Sequence, residues 1–113
     1  MEAGRIFPIT LETPDGSRSI TCGSDEYIWD AAFRHGIVLP AICRQGRCLE
    51  CAAKVISGCV DHRTADAYLP QDAEQGFALL CRAHPCSALR ILTHQASQMR
   101  EHRILLGLPA PYA

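Results

Sequence analysis

The sequence predicts a single α+β domain, and three observations carry that reading. Two runs of alternating residues flank a Pro-Asp-Gly turn, one amphipathic stretch ends at a glycine, and the later apolar runs are short and strand-like. A chain of 113 residues fits one domain, and a domain of that size gains from an added staple such as a metal site.

Arg5 to Thr13 reads as a strand, with Ile6, Ile9 and Leu11 set among polar residues. Thr13-Pro14-Asp15-Gly16 is a turn signal, because proline presets φ and glycine tolerates positive φ. Ser17 to Cys22 then reads as the return strand of a hairpin. Ser24 suits a helix N-cap, with Asp25 and Glu26 adding negative charge to the first turn. Tyr27, Ile28, Ala31 and Ala32 fall at helical spacing, Trp29 reads as a packing or surface residue rather than a redox aromatic, and Gly36 ends the helix. Ile37-Val38-Leu39-Pro40 leaves it as a strand or connector.

From Ala41 to Cys51 periodicity disappears, which predicts a loop. Ala53 to Ser57 reads as a strand broken by Gly58, and the segment from Asp61 to Pro70 reads as a polar loop. Pro70 to Gln75 fits one helical turn, with Pro70 near its start. Phe77 to Leu80 is apolar, and Leu89 to Thr93 reads as a last strand. Gln95 to Leu106 predicts a helix closed by Gly107, before the extended Pro109-Ala110-Pro111. Residues 1–94 thus form one domain and residues 95–113 an extension, whose Leu105, Leu106 and Leu108 are too apolar to stay wholly exposed and read as docked on the body of the molecule, with a partner-recognition element as the alternative.

Eleven Lys and Arg face twelve Asp and Glu, a net charge of −1, so neither nucleic acid nor an anionic membrane is an expected partner. No apolar run approaches the ~18 residues of a membrane span. The segment from Met1 to Arg5 lacks a basic region followed by an apolar one, so no signal peptide is expected and the chain reads as cytoplasmic. Seven cysteines are an odd number for a secreted disulfide scaffold, and clustered cysteines in a reducing compartment point to metal or redox chemistry.

Four of those cysteines have a specific spacing: Cys43-x4-Cys48-x2-Cys51, then Cys81 after 29 intervening residues. That pattern suits a [2Fe–2S] cluster, which takes four soft thiolates, three from one loop and a fourth from elsewhere in the fold. Gly46 sits where a tight loop needs positive φ. A zinc ribbon would pair two CxxC knuckles, and the chain has one. A thiol redox centre at Cys48 and Cys51 would leave Cys43 and Cys81 without a role. Cys22, Cys59 and Cys86 read as plain buried cysteines. His35, His62, His84, His94 and His102 are scattered and read as surface or capping residues.

Asp25-Glu26-Tyr27-Ile28, Gly36 to Pro40 and Cys43-Arg44-Gln45-Gly46-Arg47-Cys48 resemble the plant and cyanobacterial [2Fe–2S] ferredoxins. Cys51 to Val55, Gly58 to Asp61 and Leu79 to Pro85 extend the likeness over roughly residues 5–94. The resemblance implies a β-grasp fold, a mixed sheet with a helix packed across it. It also implies Cys43, Cys48, Cys51 and Cys81 as iron ligands, with Arg44 and Gly46 beside the cluster. The activity it implies is one-electron transfer with no substrate, by a monomer, in the cytoplasm or in the plastid stroma if processed. A ferredoxin–NADP reductase or photosystem I are the partners the family suggests. Tyr68 lies near a family aromatic linked to electron transfer, with simple packing as the alternative.

The chain departs from that family in ways that matter physically. Ile42 and Arg47 stand where hydroxyl or small residues are usual, and the family's strong acidity is missing. Loss of a hydroxyl donor lowers a cluster's potential, whereas a nearby cation and fewer carboxylates raise it. The expected balance is a potential above the roughly −400 mV of plant-type ferredoxins. Weak net charge also implies weak long-range steering of partners. The alternative reading is a regulatory iron–sulfur module. A cluster subdomain of a larger oxidoreductase is disfavoured by the lack of a flavin or nicotinamide fingerprint.

Overall fold

The N-terminal turn signal does close a hairpin. In a computed structural model, which describes residues 5–41, 49–62 and 68–110, β1 (Ile6–Thr13) pairs antiparallel with β2 (Gly16–Gly23), from Ile6↔Gly23 to Thr13↔Gly16. Thr13 Oγ1 donates to the Gly16 carbonyl at 2.7 Å and accepts the Asp15 N–H at 3.2 Å, so the turn is fastened by the residue that opens it.

The helix α1 (Ile28–Arg34) starts later than the Ser24 cap would place it. Ser24 and Asp25 instead form a turn, and Glu26 accepts the Gly23 N–H at 3.1 Å while pairing with Arg34 at 2.9 Å. The acidic residue in the first helical turn is Asp30. At the other end Gly36 has φ of 82°, its N–H donates to Phe33 O, and Ile37 N–H donates to Ala32 O. These two bonds close the helix around a left-handed residue, which glycine adopts without a Cβ penalty. Ile28, Trp29, Ala31 and Ala32 are buried, so the packing role read for Trp29 is observed.

Four further strands follow: β3 (Ala52–Ser57), β4 (Val60–Asp61), β5 (Phe77–Leu79) and β6 (His84–Pro85), before β7 (Leu89–Leu92). Five of the seven make one sheet in the order β2-β1-β7-β3-β5, and β4 and β6 pair as a separate two-stranded sheet. Only β1 and β7 run parallel among these pairs, so the larger sheet is mixed. With α1 against it this is the β-grasp architecture. Strand alternation sends Ile9, Leu11, Ile20, Cys22, Leu89 and Ile91 into the core, where they meet Ile28, Ala31 and Ala32.

The short pair β4 and β6 was not foreseen, and it changes the reading of three residues. Cys59 and Cys86 are exposed and joined in a disulfide, rather than being plain buried cysteines. They immediately flank the paired strands, which brings their Cα atoms to 5.3 Å. His84, read as a surface or capping residue, is buried in β6 with its ring 4.5 Å from that of Tyr27.

Beside this sheet, Gly58 occupies a site that admits no side chain. Its φ is 104°, and a Cβ would stand 2.3 Å from the Ala88 carbonyl oxygen and 2.6 Å from Leu89 Cδ2. Gly58→Ala is therefore expected to cost roughly 2–5 kcal/mol, combining the left-handed backbone with overpacking. Thermal unfolding followed by circular dichroism measures it; a loss below about 1 kcal/mol would mean the backbone can shift.

The C-terminal extension packs on the body through a charge. α2 (Pro70–Glu74) carries Asp72, and α3 (Ala96–Leu105) carries Arg103 and Met99, all three fully buried. Arg103 Nε and Nη2 donate to the two Asp72 carboxylate oxygens at 2.9 and 2.6 Å. Nη1 reaches the Pro109 carbonyl at 2.9 Å, and Asp72 also accepts the Leu69 N–H at 2.9 Å, capping its own helix. Gly107, with φ of 70°, ends α3 as its position suggested. Contrary to expectation, Leu105 and Leu106 are exposed, because the face of α3 turned to the body is the one bearing Met99 and Arg103.

Candidate metal centre

Strand register brings together two cysteines far apart in sequence. Cys51 immediately precedes β3, and Cys81 follows β5 by two residues. These strands are antiparallel with Ala52 opposite Leu79, so the chain leaves the sheet with Cys51 and Leu80 side by side. Leu80 N–H donates to the Cys51 carbonyl at 3.4 Å, and the two Sγ atoms lie 3.0 Å apart. Both cysteines are buried. Thiolates sharing one tetrahedral metal at about 2.3 Å would stand about 3.7 Å apart, so a small side-chain rotation suits the pair to a common metal. Soft sulfur donors in a buried site fit an iron–sulfur cluster well. Cys43 and Cys48 lie outside the described residues, as do Ile42, Arg44, Gly46 and Arg47.

The N-terminus of α1 holds the Cys81 segment in place. No side chain caps this helix end. Instead Trp29 N–H donates to the Leu80 carbonyl and Ile28 N–H to the Ala83 carbonyl, both at 2.9 Å, which satisfies donors that have no partner within a helix. From the same turn the Trp29 side chain donates Nε1 to the Leu39 carbonyl at 2.8 Å, fixing the chain four residues before Cys43. One short helix therefore positions both approaches to the site. Leu49, two residues before Cys51, has φ of 68° and is fully buried. Left-handed backbone is unfavourable for leucine, and its burial in the core holds it there.

Arg82, next to Cys81, lies over the Tyr27 ring with its guanidinium carbon 5.1 Å from the centroid. Its Nη1 donates to the Tyr27 hydroxyl at 2.6 Å. From the sequence, Tyr27 reads as part of the apolar helix face, His84 as a surface or capping residue, and Arg82 only as part of a segment matching the family. Their mutual contact was invisible because it depends on α1 docking against a residue more than fifty positions away.

Burial keeps three other titratable groups, Cys22, Tyr68 and His62, in their neutral forms at pH 7. Burial pushes the Cys22 thiol up to about 12, with the Glu26 charge adding to it, so Cys22 is an inert core residue. Tyr68 lies flat on His62, ring centroids 3.5 Å apart, and its hydroxyl donates to the Phe77 carbonyl at 2.6 Å. Burial and the Asp72 charge raise it to about 12. His62 Nε2 accepts the Leu79 N–H at 3.0 Å, and burial pushes its pKa down to about 4, against the opposing charges of Asp61 and Asp72 and with His84 adding to the shift.

That depression gives a signed prediction. The unfolded chain binds a proton at His62 near pH 6.5, and the folded chain does not until about pH 4. The contribution is complete above pH 6.5 and is lost as the pH falls through that window. His62→Gln is expected to flatten the fall in stability between pH 6.5 and pH 4 by about 2–3 kcal/mol, read from denaturant melts at each pH. An unchanged slope would place the imidazole in contact with water.

Residues 12–86 match the family described as the 2Fe-2S iron-sulfur cluster binding domain. The chain is 42% identical to Ferredoxin-2 of Synechococcus sp. over 83 residues, covering 74% of this chain and 79% of that one. It belongs to the plant and cyanobacterial-type [2Fe–2S] ferredoxins. It is accordingly an electron carrier and not an enzyme, moving single electrons between redox proteins on a [2Fe–2S] cluster. Other relatives are longer. The reductase component of propane 2-monooxygenase from Mycolicibacterium goodii is 40% identical over 75% of this chain, which spans 24% of that relative. The crystal structure of an Amycolatopsis cytochrome P450 reductase superposes with a TM-score of 0.68 at 31% identity, over 76% of this chain and 25% of that one. Among the described residues no helix is long and apolar enough to cross a membrane.

Proposed function

We propose that Cys43, Cys48, Cys51 and Cys81 hold the cluster and that this ferredoxin serves a reductase–oxygenase system. The observation that carries the ligand assignment is the 3.0 Å approach of Cys51 and Cys81, imposed by the register of β3 and β5. When bound, the cluster supplies reversible storage of one electron. The protein's own part is to hold four thiolates and to keep two of them out of water.

Support for the partner class comes from relatives named as reductase components of a propane monooxygenase and as the reductase subunit of an aromatic O-demethylase. A net charge of −1 agrees with such partners better than with a ferredoxin–NADP reductase or photosystem I reached by acidic steering. The carrier acts as a cytoplasmic monomer, with residues 1–94 forming the ferredoxin domain and residues 95–113 an extension held by Arg103.

Protein purified without air should contain about two iron and about two acid-labile sulfide per chain, and its reduced form should give an EPR signal. A colourless, EPR-silent protein containing zinc would overturn the assignment. Its reduction by an oxygenase-system reductase should change less than about threefold between low and physiological salt, because little long-range charge is available for screening. A steep fall with salt would favour a charge-steered partner instead.

A further inference from the structure

Cys59 and Cys86 lie apart from the cluster ligands in both chemistry and exposure. Their disulfide closes the end of the β4–β6 pair, where Val60 faces Pro85 and Asp61 faces His84. Both cysteines are exposed and help line an open cleft with His62 and Tyr68. Buried structural disulfides resist reduction, whereas exposed ones are the labile ones. Cys22, Cys51 and Cys81 are buried, so an incoming thiol meets the Cys59–Cys86 bond before any of them.

The surrounding backbone does not depend on the sulfur–sulfur bond. Cys86 N–H donates to the Cys59 carbonyl at 3.1 Å, and Cys59 N–H donates to Ser87 Oγ at 2.9 Å. With the strand pairing, these bonds keep the two thiols facing each other after reduction. Reoxidation is then intramolecular and strongly favoured by proximity.

We propose that the Cys59–Cys86 pair is a reversible thiol–disulfide exchange site for small thiols and dithiols, built into the arm that carries Cys81. An external thiolate attacks one sulfur, forms a mixed disulfide and releases the other as a thiolate. A second thiol, or the second group of a dithiol, attacks the mixed disulfide. In total two external thiols become one disulfide, and the two electrons and two protons they give up convert the Cys59–Cys86 disulfide into two thiols. The six-residue arm from Cys81 to Cys86 is anchored at one end by α1 and at the other by this bond. Opening the bond releases one anchor only, so the cluster stays bound.

The test uses holo protein under nitrogen, equilibrated in graded ratios of reduced to oxidised dithiothreitol. Samples are quenched in acid, unfolded, alkylated with iodoacetamide and mapped by peptide mass spectrometry. Alkylation of Cys59 and Cys86 should rise together by at least roughly tenfold, with the visible absorbance of the cluster unchanged, and should reverse in oxidised buffer. Full alkylation in oxidised buffer would show that no bond forms. Protection that persists until the cluster bleaches would show a structural bond. Either result overturns the proposal. Cys59→Ser should leave Cys86 alkylated at every ratio with the cluster spectrum intact; loss of the cluster in that variant would also overturn it.

Discussion

Asp72→Ala is expected to destabilise the holo protein by about 3–5 kcal/mol, the range for stranding one partner of a buried ion pair. Asp72 is fully buried and Arg103 is 1% exposed, so the guanidinium left behind has almost no access to water. The same change removes the acceptor for the Leu69 N–H, which uncaps α2. For a chain of this length the melting temperature should fall by roughly 10–25 °C. Adding Arg103→Met to Asp72→Ala should recover part of the loss, because a stranded charge is worse than an apolar contact. A double variant no better than Asp72→Ala would show that Arg103 matters through packing alone. Truncation after His94 removes Arg103 together with Met99, and should cost at least as much as Asp72→Ala. A truncated chain that melts like the full one would show that the extension does not lock onto the body.

This ion pair also marks where the sequence stopped being readable. Helix α3 was legible from its residue pattern and Gly107, yet apolarity alone argued for cover over Leu105 and Leu106, and both are exposed. Hydrophobic pattern ranks leucine above arginine for burial, and it cannot register a carboxylate waiting thirty-one residues away. The start of α1 slipped for a related reason. Ser24, Asp25 and Glu26 have the composition of a helix start, but the donors of α1 are met by carbonyls of the Cys81 segment, a tertiary solution with no local signature. Strands β4 and β6 have two residues each, too few to show alternation, so the contact that pairs Cys59 with Cys86 left no periodic trace. The hairpin, the turn at Gly36 and strands β3 and β7 were readable because turn chemistry and alternation are local properties, whereas β5, buried at every position, showed only as an apolar run.

Among the seven cysteines, alanine replacement should separate the four assigned ligands from the rest. Cys51→Ala and Cys81→Ala are each expected to lower iron and acid-labile sulfide per chain by more than roughly tenfold, since a cluster closed by four thiolates has no spare donor. Cys43→Ala and Cys48→Ala should match them if the loop supplies the other two ligands. Cys22→Ala should keep full cluster content and lose only about 1 kcal/mol of packing, because its thiol is buried, neutral and remote in chemistry from the site. Folding is coupled to cluster binding, so the ligand variants should also melt at lower temperature than holo protein. The discriminating comparison is therefore iron content in Cys22→Ala against Cys81→Ala. Equal loss in both would mean that destabilisation, rather than loss of a ligand, empties the site. Retention in Cys81→Ala would place the fourth ligand elsewhere, and the β3–β5 register that sets Cys51 against Cys81 would then be serving the core alone.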